Sequence, residues 1–178
     1  MACILDAGVD AQCDDSLGGI EQGSILIAQW DTIETDWVAT AGEITSLNQV
    51  AATYFYRYHV NNDGADFLAT ETHTPETGNY FETGVLNFTL GKMSKEKNVL
   101  WKTLASKSCV IIFKDNNGVF HIIGLERGAD KIGTNTRGTG RVAGDLNGYL
   151  ASFTDISKNA YTVSSSVMAS IAIDGEST

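Results

Sequence analysis

Three histidines, His59, His73 and His121, are the side chains of this sequence best suited to act as a general base near neutral pH. A Ser-His-acid site also needs an activated serine, and the Gly-x-Ser-x-Gly sequence that presents one on a sharp turn does not occur. His121 stands within an apolar run, which is typical of a hydrogen-bonded core histidine, and His73 stands in a polar segment, where we expect it to be solvated. The sequence therefore nominates no nucleophile and predicts a non-enzymatic protein.

Two glycine-containing motifs have residue types that can bind ions. Successive backbone amides in Gly138-Thr139-Gly140-Arg141 could cradle a phosphate, but no helix is expected to follow and the Gly-Lys-Ser/Thr ending of a P-loop is absent. Asp115-Asn116-Asn117-Gly118 has the residue types of a calcium loop without the acid spacing of an EF-hand, and a hairpin turn explains it fully. We therefore expect no cofactor, no metal and no small-molecule substrate.

Cys3, Cys13 and Cys109 make an odd number of cysteines and lack the spacing of a zinc site. Buried or incidental thiols in a reducing cytoplasm are the favoured interpretation. A disulfide between Cys3 and Cys13 remains open as the lesser alternative.

The net charge of −10 is unevenly distributed along the chain. Residues 1–91 contain fourteen acidic residues and one basic residue, Arg57, whereas residues 92–178 contain eight acidic and eleven basic residues. Solvated surfaces explain this segregation in one interpretation; in the other, an acidic surface of one copy meets a basic surface of the next in head-to-tail assembly. A protein that reads nucleic acid is not expected, because that function needs a concentrated basic surface.

Strand patterns account for most of the chain. The clearest is Gly84–Leu90, in which Leu86, Phe88 and Leu90 alternate with polar or smaller residues, as in a half-buried strand. A central hairpin is predicted from two apolar runs joined by Asp115–Gly118, whose Asn-Gly pair favours a primed turn. The two runs of this hairpin are Cys109–Lys114 and Val119–Gly124. The remaining candidate strands are Ser24–Trp30, Ala52–Val60, Tyr149–Thr154 and Ser166–Ile173.

One α-helix is predicted at residues 94–107. Ser94 can cap its N-terminus, Leu100 and Leu104 form an apolar i,i+4 pair, and lysines occupy the remaining surface. Together these elements predict a mainly β protein: a β-sandwich or barrel of about seven to nine strands with one flanking helix.

The expected organisation is an extended N-terminal arm at residues 1–23 followed by one β-rich domain at residues 24–178. Polar excursions interrupt that domain at residues 61–82, which could form a projecting hairpin, and at residues 126–144, a glycine-rich loop. No apolar run approaches the roughly 20 residues of a membrane helix, and the first twenty residues lack the features of a secretory signal. No membrane association is expected.

Three stretches taken together resemble the virion proteins of tailed bacteriophages: LNFTLGKM, CVIIFKDNNGVFHIIG and GTGRVAGDLNGYLASFTDI. The sequence is most similar to the tail tube group, and ACILDAGVDAQCDDSLGGI resembles small structural proteins of phages that infect Bacteroidota. The resemblance implies a β-sandwich or barrel with a flanking helix that assembles into hexameric rings. These rings stack into a tube with an acidic lumen, through which DNA passes as non-specific cargo.

The functional hypothesis is therefore a self-assembling structural subunit of a virion, made in the bacterial host cytoplasm. Its partners are copies of itself and other virion proteins. The candidate assembly contacts are charged residues of the arm, the helix and the glycine-rich loop: Asp14, Asp15, Lys95, Lys97, Lys102, Arg137 and Arg141.

Two alternatives remain open. One is a head decoration, connector or neck ring protein of the same particle. The other is a carbohydrate- or protein-binding β-sandwich module with an aromatic platform of Trp30, Trp37, Tyr54, Tyr56 and Tyr58.

Overall fold

The computed structural model describes residues 16–61, 63–133 and 135–174, in which eleven β-strands, two α-helices and one turn of 3-10 helix are present. The helices are α1 (Lys95–Ser106) and α2 (Ser165–Ser170), and Trp30–Thr32 form the 3-10 turn. The strands are β1 (Ile25–Gln29), β2 (Val38–Thr40), β3 (Glu43–Ser46), β4 (Tyr56–Tyr58), β5 (Ala65–Thr74), β6 (Asn79–Gly91), β7 (Cys109–Lys114), β8 (Phe120–Ile123), β9 (Thr136–Gly138), β10 (Gly148–Ser157) and β11 (Tyr161–Val163).

The strands form two sheets. The larger has the order β2-β3-β11-β8-β7-β1-β4, and the smaller has the order β5-β6-β10-β9. With 46% strand and 13% helix, the prediction of a mainly β chain is confirmed, and two separate sheets make it a sandwich rather than a barrel. The strands outnumber the expected seven to nine because four of them, such as β2 and β9, have only three residues, too few to show an alternation in the sequence.

A core of buried side chains fills the space between the sheets. Phe88 and Phe153 stack with ring centroids 5.8 Å apart, and Phe67 packs against Phe113 of the opposite sheet at 5.0 Å. The predicted alternation along β6 is confirmed, since Leu86 and Phe88 are both buried. The larger sheet contributes Ile25, Ile27, Ile111, Phe113 and Ile123, and the smaller sheet contributes Leu86, Phe88, Leu90, Tyr149, Ala151 and Phe153.

The larger sheet is also covered on its other face. Val110 and Ile112 of β7 and Leu26 of β1 point into a second core, which Val167 of α2 and the buried ring of Phe55 help to close. The first five residues of β7 are therefore buried on both faces of the sheet. This confirms the prediction that the apolar hairpin lies centrally between layers.

The predicted helix is confirmed as α1, and Ser94 caps it by accepting a hydrogen bond from the Lys97 N–H at 3.2 Å. Its apolar side differs from the prediction, because Leu104 is buried whereas Leu100 is 40% exposed. Trp101 packs on Tyr149 instead, with ring centroids 4.9 Å apart. The helix thus lies beside the inter-sheet core and leaves most of its surface exposed.

The turn between β7 and β8 is tight, but it is not the primed turn that was predicted. Only Gly118 has a positive φ, of 93°, and the Asp115 Oδ1 accepts the N–H groups of Asn117 and Val119. Asp115 also pairs with Val119 through its backbone N–H at 2.9 Å. The same residues form a three-residue loop that ends in a left-handed glycine. The Asp side chain stabilises this loop because it accepts the N–H groups that lack a backbone partner.

Two predicted strands are wrong in type or extent. The predicted strand Ser166–Ile173 forms α2 instead, whose N-terminus is capped by Ser164 and whose Val167 carbonyl accepts the Ile171 N–H. The alternation of apolar residues there also fits i,i+4 spacing, and the serine cap decides between the two. Of Ala52–Val60, only Tyr56–Tyr58 is a strand.

The two polar excursions both contain strands. Residues 65–91 form the β5–β6 hairpin, closed by a turn in which the Gly78 N–H bonds to the Thr74 carbonyl at 2.8 Å. The glycine-rich loop contains β9, which extends the smaller sheet beside β10, and Asp130 pairs with Thr154 just before it. Of the predicted arm, residues 1–15 lie outside the described residues, as do Cys3 and Cys13.

Candidate assembly surface

Two of the three predicted helix lysines lie on one exposed side of α1. Lys95 and Lys102 are seven residues apart, two turns of helix, and they border a shallow groove together with Asn98 and Val99. Val99 is 64% exposed, so the groove has an apolar floor between two cations. Lys97 does not belong to this side, because its Nζ donates a hydrogen bond to the Gly91 carbonyl at 2.6 Å.

Arg137 of β9 reaches the same side of the helix. Its Nη1 donates to the Asn98 Oδ1 at 3.3 Å, and the Tyr149 hydroxyl donates to the same oxygen at 2.9 Å. Asn98 therefore ties α1 to the edge of the smaller sheet, and Lys95, Lys102 and Arg137 form one surface, which we call the basic face. Within the described residues, none of its three cations forms an ion pair.

Lys131 lies behind this surface and was not among the predicted contacts. Its Nζ sits 3.2 Å from the centroid of the Trp101 ring and donates to the Trp101 carbonyl at 3.3 Å. Desolvation lowers the pKa of Lys131 to about 8. No spacing in the sequence relates residues thirty positions apart, so only the fold could reveal this contact.

Arg141 is not among the residues that border the groove of the basic face. Its backbone N–H and that of Val142 donate to the Asp145 Oδ2 at 2.6 and 3.0 Å, which holds the pKa of Asp145 below its usual value. One of the amides that could have cradled a phosphate, that of Arg141, is thus occupied by a carboxylate of the same chain. The other two predicted contacts, Asp14 and Asp15, lie outside the described residues.

The aromatic residues proposed as a platform are divided between different places. Trp30 and Trp37 line one cleft of about 650 Å³ together with Glu34, Glu126 and Arg127. Trp30 is anchored there by donating its Nε1–H to the Leu125 carbonyl at 3.1 Å, and Trp37 meets Tyr161 edge to face. The tyrosines are elsewhere: Tyr54 and Tyr56 are exposed and Tyr58 is buried in the inter-sheet core.

The three histidines do not meet in one place. The His121 Nε2 lies 3.4 Å from the Asp115 Oδ2, and its ring stacks on Phe113. Burial opposes the charge of Asp115, but the Val119 N–H, His121 and the Asn117 N–H hold its pKa below the usual value. His59 and His73 are exposed. His121 therefore has the hydrogen bond expected for it, and it is only partly buried.

Two acidic side chains are buried between the sheets, and the sequence analysis did not predict their burial. Glu82 is 7% exposed and Asp155 is 4% exposed. A signal for Glu82 was present, because it has the same parity along β6 as Leu86 and Phe88 and must point inward with them. The same signal was present for Asp155, which has the same parity along β10 as the buried Tyr149 and Phe153, whereas the proximity of the two acids needs the pairing of β10 with β6.

No helix among the described residues is long and apolar enough to cross a membrane. No group of three or more His, Cys, Asp or Glu side chains in this part of the chain could hold a metal ion.

Compared with protein-family models, with curated proteins and with solved structures, the chain finds no match.

Proposed function

We propose that this protein is a non-enzymatic structural subunit of a bacteriophage particle that assembles with copies of itself, as a tail tube-like ring protein does. The observation that carries the proposal is the long free edge of the smaller sheet. β5 has ten residues and pairs only with β6 among the described strands. An edge of this length offers a row of backbone groups to a neighbouring chain.

The phase of the β5–β6 ladder identifies which groups face outward. The Thr89 N–H donates to the Gly64 carbonyl at 2.8 Å, and hydrogen-bonded pairs alternate along an antiparallel ladder. Asp66, Leu68 and Thr70 therefore bond to β6. The residues between them direct their N–H and C=O groups to the free edge: Ala65, Phe67, Ala69, Glu71 and His73.

This edge lacks three of the features that keep edge strands of monomers apart, although it carries the acidic residues Asp66 and Glu71. β5 contains no lysine, no proline and no bulge, and its register with β6 is unbroken over all ten residues. Leu68 on its outer face is 65% exposed. Pairing of this edge with a neighbouring copy is a physical route to a closed ring.

The composition of three strands of the smaller sheet, β5, β6 and β10, suits a surface that DNA passes without adhesion. β5, β6 and β10 contain no lysine or arginine. Their outward side chains include threonine, asparagine and serine together with apolar residues such as Leu68 and Ile156, and Asp66 is the acidic residue on that face. A neutral to acidic wall does not release counterions from phosphate, which is the main source of non-specific DNA affinity.

The test begins with the oligomeric state of the purified chain by mass photometry and negative-stain microscopy. We expect ring-sized particles that become more abundant with concentration. Ala69→Pro removes an outward N–H of β5 without removing a bond to β6. We expect this variant to need a protein concentration at least about tenfold higher to form rings. Ala69→Val is the matched control, because it keeps the N–H group and should still assemble.

Two results would contradict this proposal. A wild-type chain that stays monomeric at high concentration, in low and in high salt, would exclude a self-assembling ring protein. Rings that form equally well with Ala69→Pro would show that another surface makes the contact.

The head or neck ring protein is the first alternative, and the same fold and edges serve it equally. Gene order separates the two, since a neighbouring gene for a very long tape-measure protein favours the tube. Adjacent portal and capsid genes favour the head or neck.

The binding module is the alternative from another class, and its support is the cleft with Trp30 and Trp37. Paired aromatic rings among polar side chains are typical of sites that bind sugars or peptides. Binding of a stable monomer on a glycan array, lost in Trp37→Ala, would favour this function over the first.

A further inference from the structure

The buried carboxylates of Glu82 and Asp155 line a small cavity between the two sheets. Its volume is about 30 Å³, and His121, Asn159 and Tyr161 of the larger sheet's side line it as well. The Asp155 Oδ1 is buried and has no hydrogen-bond partner among the described residues. A buried carboxylate oxygen without a partner is costly, so a native structure that keeps one needs a reason.

The strand register explains why the two acids are side by side. Glu82 of β6 is directly opposite Ser157 of β10, and Asp155 is two residues earlier on the same face of β10, opposite Gly84. Glu71 of β5 is directly opposite Glu82 on its other side. Three carboxylates therefore occupy neighbouring positions on one face of the smaller sheet.

Among the described residues, no lysine or arginine lines this cavity to balance the charge. Burial raises the pKa of Glu82, and the charges of Glu71 and Asp155 raise it further. Burial also raises the pKa of Asp155, although the Gly124 N–H and the Ser157 hydroxyl favour its ionised form. An ion pair partner or a bound cation would remove this cost.

We infer that the cavity between Glu82 and Asp155 is a binding site for one calcium-like divalent cation. Two carboxylates match its charge, and Ser157 and Asn159, whose side chains each carry a neutral oxygen, line the same cavity. This site has two acidic ligands, fewer than the three acidic or histidine ligands of a typical transition-metal site. It suits Ca²⁺, which takes six to eight oxygen ligands in irregular geometry and accepts water among them.

The site joins the two sheets at the end where the apolar core gives way to polar residues. The smaller sheet supplies the carboxylates, whereas Asn159 and Tyr161 come from the loop and strand that follow β10. A cation there would hold the half of the β5–β6 hairpin that is nearer its turn against the larger sheet. The inference does not depend on assembly, because it concerns the folded monomer.

Calcium titration of the purified chain, dialysed first against a chelator, tests the site at constant pH. We expect Ca²⁺ at about a hundredfold excess over its Kd to raise the Tm by roughly 5–10 °C. Terbium should bind in its place and give sensitised emission, because Tyr161 lines the cavity and transfers excitation energy over short distances. Glu82→Gln and Asp155→Asn should each lose both signals.

Asp66→Asn is the matched control, since Asp66 is an exposed acid on the opposite face of the same sheet and should leave both signals intact. If one of the two cavity variants fails to fold, the other still provides the test. No Tm shift and no terbium emission in the wild type would overturn the inference. Signals that persist in a folded cavity variant would overturn it too. A wild type stabilised by acidification alone, with no gain from calcium, would mean that the carboxylates share a proton instead.

Discussion

At the scale of single residues, two carboxylates of this chain accept backbone amides in or next to the two segments that resembled ion-binding motifs in the sequence. The Asp145 Oδ2 accepts the backbone amides of Arg141 and Val142, and the Asp115 Oδ1 accepts those of Asn117 and Val119. A side chain tethered in the loop is present at a far higher effective concentration than a free anion. Both carboxylates therefore stabilise the loops in which they lie.

Cys109 is a residue whose chemistry is set by burial. It is 1% exposed, and desolvation, with the charges of Asp130 and Asp31, raises the pKa of its thiol to about 11 from its ordinary value of 9.0. Because the folded pKa is the higher one, the stability linked to this thiol is present below pH 9.0 and is lost as the pH rises toward 11.

We expect iodoacetamide to label Cys109 at least about a hundredfold more slowly in the folded chain than in concentrated urea, at a pH near 8. Peptide mass spectrometry separates this site from Cys3 and Cys13. Equal labelling rates in the two states would contradict the buried, protonated thiol.

At the scale of elements, backbone contact decides where glycine is required. Gly148 begins β10 and lies opposite Gly91, the last residue of β6. A Cβ on Gly148 would overlap the Leu90 carbonyl oxygen, whereas a Cβ on Gly91 meets nothing nearby. The two glycines are partners in one ladder but have unequal steric constraints.

Gly148→Ala should therefore destabilise the fold by about 1–3 kcal/mol, because the neighbouring strand has to shift to make room. Gly91→Ala, the matched variant on the partner strand, should change the free energy of unfolding by less than about 1 kcal/mol. Urea unfolding followed by circular dichroism measures both. Equal effects of the two substitutions would mean that the contact at Leu90 is not limiting.

At the scale of the whole molecule, the fold collects part of the basic half of the sequence into one surface. Lys95 and Lys102 meet Arg137 across Asn98, although α1 and β9 are separated by about thirty residues. The Lys97 side chain bonds to the Gly91 carbonyl instead, and Arg141 does not border the groove of this face. In the head-to-tail hypothesis, the basic surface that meets the next copy is thus reduced to three cations, Lys95, Lys102 and Arg137.

We expect Lys95→Glu with Lys102→Glu to raise the concentration needed for ring formation at least tenfold and to leave the monomer folded, because reversed charge repels an acidic neighbour. Lys95→Arg with Lys102→Arg keeps both charges and is the control. Mass photometry at two salt concentrations measures assembly, and circular dichroism checks the fold. Unchanged assembly of the charge-reversed variant would make the basic face a solvated surface only.

Local patterns alone determined the fold class, the capped helix and the central hairpin of this protein. Leu86 and Phe88 alternate with polar or smaller residues, Ser94 directly precedes a run with helical spacing that it can cap, and the first five residues of β7 are apolar, so each signal lies within a few adjacent residues. Short strands such as β9 and the helix α2 escaped because their few residues fit more than one period. The basic face and the pairing of Glu82 with Asp155 depended on tertiary structure, because only strand register and packing bring residues so distant in sequence together.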